Sequence, residues 1–153
     1  MTLALLVLAA LVPGALAPGA LAPCALAPGP AAQSILEGEA LRFAQAWEGE
    51  DLRLLGELMA EDGIRLHLPG EDHVLIRPRQ ARAALGAFLE RYAGGEADLT
   101  RVSLAGGDLG KGFAEIRWRT GSPGVPEPVV FTLFVAFSSE NDRWSVTEIR
   151  VLF

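Results

Sequence analysis

From residue 97 to its last residue the chain offers nothing but strand-like runs. Ala97–Ala105, Phe113–Thr120, Pro128–Ser138 and Arg143–Phe153 are separated by turns rich in Gly, Pro, Asn and Asp. Four long strands joined by short turns pair as an antiparallel sheet, and at least one face of that sheet needs an apolar cover. In the strand at 113–120, Glu115, Arg117 and Arg119 alternate with Ile116 and Trp118, which gives it one wet face. Val129 to Phe137 is apolar on both faces, as expected of a strand covered on both sides or lying at a partner interface.

The cover comes from upstream. Ser34 is expected to cap a helix, with Glu37 completing a capping box. Ile35, Leu36, Leu41, Phe43, Ala44 and Trp47 then form an apolar stripe as far as Gly49. Asp51 opens a second, shorter helix that places Leu52, Leu54, Leu55, Leu58 and Met59 inward. Ile64 to Leu68 alternates with period two and reads as a strand. Pro69 to Asp72 reads as a turn, and His73 to Ile76 as a short returning strand. Pro78 suits the first position of a third helix, running to about Tyr92 with Ala81, Ala84, Leu85, Phe88 and Leu89 inward. The expected fold is therefore α+β. Three N-terminal helices pack on a strongly curved, mostly antiparallel sheet that makes a cone around an apolar pocket.

Residues 1–33 read as a separate leader, a signal peptide or a low-complexity Ala/Pro/Gly segment, ahead of one domain at 34–153. They carry no charged side chain. The apolar run Leu3 to Val12 is ten residues long, shorter than the roughly 20 needed to cross a bilayer but suited to a signal-peptide core. A pentapeptide repeat follows (GALAP, GALAP, CALAP), and proline at every fifth residue forbids a continuing helix. This implies export to the periplasm or beyond the cell if the leader is a signal peptide, and a cytoplasmic protein otherwise. Cys24, in the sequence LAPC, resembles the acylated cysteine of bacterial lipoproteins. Pro23 departs from the small residue of that pattern, and the plainer reading makes Cys24 a variant letter of the repeat. Membrane attachment is expected only through this leader, if it is retained or if Cys24 is acylated.

Charge and cysteine content exclude several function classes. A net charge of −6, with 13 scattered basic residues, argues against a nucleic-acid ligand. One cysteine leaves no intramolecular disulfide and no multi-cysteine zinc site. The GGDLGKG stretch at 106–112 lies between strands and reads as a hairpin turn, not a phosphate loop.

The order of elements, with RFAQAWEGEDLRLLGELMAEDGIRLHLPG at its start, RPRQARAALGAFLERY for the third helix and DRWSVTEIRVLF at the end, resembles the nuclear transport factor 2-like superfamily. That group includes SnoaL-like cyclases, ketosteroid isomerases and non-catalytic binding or dimerisation domains. The resemblance covers essentially all of 34–153. It implies a conical fold with a pocket between helices and sheet. In the ketosteroid isomerases, a tyrosine on the first helix and a protonated aspartate on a late strand stabilise the oxyanion. Phe43 and Leu133 stand at the matching positions here, and neither has a donor. The general-base aspartate at the end of the first strand falls on His67. Each oxyanion donor is worth about 3–4 kcal/mol, so steroid isomerisation by that route is excluded.

His67 is the candidate catalytic residue, as general base within an apolar cavity. Alternation favours the plainer outcome, with Leu66 and Leu68 on one face and His67 on the other. Paired across a hairpin with His73 and an acidic neighbour, His67 would make a metal-ligand set, but hairpin decoration is the simpler expectation and no metal is assigned. Glu115, Arg117 and Arg119 are polar candidates, as an anion clamp or as a ladder of cross-strand pairs. Phe43, Trp47, Leu66, Phe88, Trp118, Phe131, Leu133 and Trp144 are expected to line the pocket.

Three functional expectations follow. The first is a non-enzymatic exported domain that binds a small apolar molecule or pairs through its sheet, with no cofactor. The second is an isomerase, dehydratase or cyclase-like enzyme with His67 as base and Glu115 or Arg117 nearby. The third is a structural homodimer built on the long strands.

Overall fold

The computed structural model describes residues 30–105, 110–141 and 143–153. The leader repeats and Cys24 lie outside them. The elements run α1 (Pro30–Glu48), α2 (Leu52–Leu58), β1 (Ile64–Leu68), β2 (Glu71–Ile76), α3 (Pro78–Leu89), β3 (Ala93–Leu104), β4 (Lys111–Ser122), β5 (Val125–Glu140) and β6 (Arg143–Leu152). They form three helices and one six-stranded sheet of order β2-β1-β6-β5-β4-β3, with α1 packed along β3 and β4 and α2 against α3. Neighbouring strands are antiparallel except β1 and β6, which are parallel. No helix among the described residues is long and apolar enough to cross a membrane.

Helix α1 starts at Pro30, so Ser34 lies inside it and is not its cap. Pro30 brings a preset helical φ, and Ala31, Ala32 and Gln33 all extend a helix readily. Its buried stripe is Leu36, Ala40, Phe43, Ala44 and Trp47, steps of three and four residues along one face. Ile35 and Leu41 fall off that stripe and are half-exposed, contrary to the sequence expectation; the small Ala40 takes the inward position. Helix α2 is capped as expected, with the Leu54 amide donating to Asp51 Oδ1 at 2.9 Å.

The first hairpin is tighter than the sequence suggested. Leu68 pairs with Glu71 around a two-residue turn, because Gly70 adopts φ +85°. That turn puts Asp72 opposite His67 and His73 opposite Leu66. The two histidines therefore occupy different faces, and the pairing of His67 with His73 does not form. Further along, Ile76 pairs with Ile64 while His73 pairs with Leu66, so the extra residue is on β2, where Leu75 has φ +55°. Strand β1 keeps strict alternation: Ile64, Leu66 and Leu68 are buried and His67 lies on the outer face.

At the other edge, β3 carries an extra residue at Gly94 and another at Thr100, and β6 carries one at Thr147. The hairpin expected at 106–112 joins β3 to β4, with Leu104 opposite Gly112; residues 106–109 lie outside the described set. The core fills the space between the helices and the inner face. From β4 it takes Ile116 and Trp118, and from β5 Phe131, Leu133, Val135 and Phe137. From β6 it takes Trp144, Val146, Ile149 and Val151.

Candidate functional site

With all the inward positions of β4, β5 and β6 turned to the helices, the outer face is left to their alternate residues. The registers align these in rows across the strands. Glu115 lies opposite Phe134, and Phe134 opposite Arg150. The same row continues to Arg101 beyond Glu115, and to His67 and then Asp72 beyond Arg150. A neighbouring row holds Phe113, Ala136 and Glu148, and the one on the other side Arg117, Thr132 and Leu152. Phe113 is 50% exposed, Phe134 42%, Val130 45% and Leu152 43%, so large apolar groups face outward in the middle of the sheet. Two shallow clefts of about 390 and 290 Å3 open between them, both walled by Phe113 and Phe134.

Beside this apolar strip lies a charged cluster centred on Glu148. Its carboxylate accepts from Arg65 Nε at 2.9 Å and from Arg150 Nη2 at 2.8 Å. The His67 ring is bonded through Nδ1 to Asp72 Oδ1 at 2.9 Å, and its Nε2 is 3.8 Å from Glu148 Oε1. These contacts join β1, β2 and β6 on the outer face. Asp72 orients the imidazole, but the second nitrogen faces another carboxylate and not the interior. Neither Glu115 nor Arg117 is beside it, since both belong to β4 with β5 and β6 between.

The interior is filled by rings. Trp118 stacks on Phe131 at 5.3 Å between centroids and meets Trp47 edge-on at 5.6 Å. Phe88 contacts Trp47, Trp118, Phe131 and Tyr92, and Phe43 stacks on Trp47. Phe43, Trp47, Leu66, Phe88, Trp118, Phe131 and Leu133 are at most 1% exposed, and Trp144 6%. All eight belong to the core, and none of them lines either of the two outer-face clefts. Within this cluster the Trp47 Nε1 donor is buried without a hydrogen-bond partner. A buried unpaired donor costs about 1–3 kcal/mol, which makes it a point of unspent bonding capacity.

Glu115, Arg117 and Arg119 share the outer face, as their alternation predicted. Arg119 pairs with Glu96 across the strands at 3.2 Å, and Asp98 lies opposite Arg117, so they form part of a cross-strand ladder. His73 Nε2 approaches Glu71 at 3.5 Å near the sheet edge. No group of three His, Cys, Asp or Glu side chains among the described residues is placed to hold a metal.

Sequence reasoning passed over Phe113, Glu148, Arg150 and Tyr92. The first had a readable signal, being two residues before Glu115 on the wet face of its strand. Glu148 and Arg150 were hidden by the extra residue at Thr147, which shifts the alternation of β6 between Val146 and Ile149.

No protein-family model matches the chain, and no curated protein matches it. Solved structures do. A hypothetical protein from Catenulispora acidiphila with a ketosteroid isomerase-like fold, in complex with trimethylamine, superposes with a TM-score of 0.60 at 16% identity, over 75% of this chain and 84% of that one. A nuclear transport factor 2-like protein of unknown function from Pseudomonas putida gives 0.62 at 16%, over 82% and 89%. A DUF4783 family protein from Bacteroides uniformis gives 0.61 at 14%, over 72% and 93%. The helix order, the six-stranded sheet and these superpositions agree: the chain has the nuclear transport factor 2-like fold.

Proposed function

We propose that this domain works without catalysis, by pairing with a second copy of itself through the outer face of its sheet. The observation that carries the reading is the strip formed by Phe113, Phe134, Val130 and Leu152, apolar and 42–50% exposed, on the face opposite all three helices. Contiguous exposed apolar surface of this kind marks contact sites in soluble proteins. Sheets that pack face to face bury such residues between them. The absence of donors at Phe43 and Leu133, and an outward His67 ring tied to Asp72, support a role other than dienolate chemistry. Sedimentation of the purified protein at about 10 μM tests it. A mass twice that of the chain, reduced to the monomer by Phe134→Arg, is the expected result; a monomer for the unaltered protein sinks the reading.

A second reading rests on Trp47 Nε1. A small apolar molecule with a hydrogen-bond acceptor, entering among Trp47, Phe88, Tyr92, Trp118 and Phe131, would satisfy that donor. One structural neighbour is in complex with trimethylamine, a small and largely apolar molecule. Native mass spectrometry of protein from cells tests this: an added mass lost on denaturation supports it, and a bare chain counts against it. The Leu3 to Val12 run supports an exported protein. The intact mass of secreted or periplasmic material, shortened by the leader, is the check.

A further inference from the structure

The outer face has an order of charges that a symmetric partner can read. In the row through Phe134, the side chain on the β4 side is Glu115 and that on the β6 side is Arg150, each one strand away. Strands are about 4.8 Å apart, so the acid and the base stand symmetrically about the Phe134 ring. Among the described residues Glu115 makes no ion pair; its main-chain oxygen accepts from the Thr100 hydroxyl. Arg150 gives one N–H to Glu148 and, with five donors on its guanidinium, has others to offer outward.

Two copies facing each other are related by a two-fold axis in the plane between their sheets. If that axis runs along β5 over Phe134, it exchanges the two sides of the strand. Phe134 then meets its own equivalent, and each Arg150 faces the partner subunit's Glu115, twice per dimer. If the axis runs across the strands, Arg150 faces the partner subunit's Arg150 and Glu115 its own equivalent. Like charges opposed in an interface cost several kcal/mol, and opposite ones fix the register.

We infer that Glu115 and Arg150 select the orientation of the pair, setting the axis along β5 and making the face specific for a second copy of this chain. The inference rests on the face-to-face pairing proposed above and adds to it which charges choose the partner. Arg117, in the next row, then lies against the partner subunit's Leu152, where its aliphatic stem covers an exposed side chain.

Charge reversal on the full chain tests it. Glu115→Arg and Arg150→Glu should each weaken self-association at least roughly tenfold, because each sets like charges opposite one another. Mixing the two variants, or combining both changes in one chain, should restore the pair to within a few-fold of the unaltered protein. Glu115→Gln and Arg150→Gln, gentler to the fold, should weaken it by a smaller factor, and circular dichroism confirms that each variant is folded. If the unaltered protein is a dimer and the reversals leave it as tight, or the mixture stays monomeric, the charge assignment is overturned while pairing stands. If the unaltered protein is a monomer, pairing itself fails and the assignment falls with it.

Discussion

Leu36 of α1 lies directly over Gly112 of β4, in the space a side chain at 112 would need. A Cβ at Gly112 would overlap Leu36 Cδ2, and Leu36 is fully buried. The first helix thus seats on the sheet through a residue with no side chain. Gly112→Ala is expected to destabilise by about 1–3 kcal/mol, the usual cost of overpacking a filled core. Urea unfolding with an unchanged slope measures it. Gly38, on the same helix, has nothing within 4 Å of the place an added methyl group would take, so Gly38→Ala should raise stability by about 0.5–1 kcal/mol.

The ring cluster joins the helices to the sheet. Phe88 touches four other rings, and Arg91 caps its face at 5.3 Å. Phe88→Ala should cost about 3–5 kcal/mol, measured as a lower denaturant midpoint. A cost below about 1 kcal/mol would mean that the rings collapse into the space left behind.

Thr120 is the one buried polar residue among those described, 2% exposed. Its hydroxyl donates to the main-chain oxygen of Gly94, where β3 bulges. Thr120→Val keeps the shape and removes the donor, leaving that carbonyl unmatched. The expected loss is about 1–2 kcal/mol. Faster amide exchange around residues 93–95 would locate the effect.

Leu75 holds a left-handed backbone, φ +55°, while 67% exposed. A bulky residue there costs about 1–2 kcal/mol relative to one in the usual region. Leu75→Gly is therefore expected to raise the thermal midpoint by a few degrees. A lower midpoint would show that Leu75 contributes contacts that outweigh its backbone.

Phe134→Arg separates association from folding. The ring lies on the outer face, so stability should stay within about 0.5 kcal/mol of the unaltered protein while the proposed pairing is lost. Parallel sedimentation and melting curves read the two effects independently.

Much of this architecture was legible because periodicity survives wherever an element is regular. The alternation of Glu115, Ile116, Arg117 and Trp118 gave both faces of β4, and the doubly apolar Val129 to Phe137 placed apolar groups on both faces of β5, expected there to be covered or at a partner interface. What was missed follows from local irregularity. The Pro69–Gly70 turn is two residues and not four, which moved the partner of His67 from His73 to Asp72. The extra residue at Thr147 changed which residues of β6 face outward, concealing Glu148 and Arg150. Ring contacts such as Tyr92 with Trp118 join the turn after α3 to β4 over a distance that no local spacing encodes.

The extra residues at both margins of the sheet have a consequence for how far assembly can go. On β2 the pairing is broken at Val74 and Leu75, and on β3 at Gly94 and Thr100. A straight run of free amides and carbonyls invites another strand to dock and the ladder to lengthen without limit. Interrupted margins make a poorer template, so edge-to-edge lengthening in the plane of the strands is disfavoured. The broad outer face, where Phe113 and Phe134 are exposed, is then the surface left for the pairing proposed above.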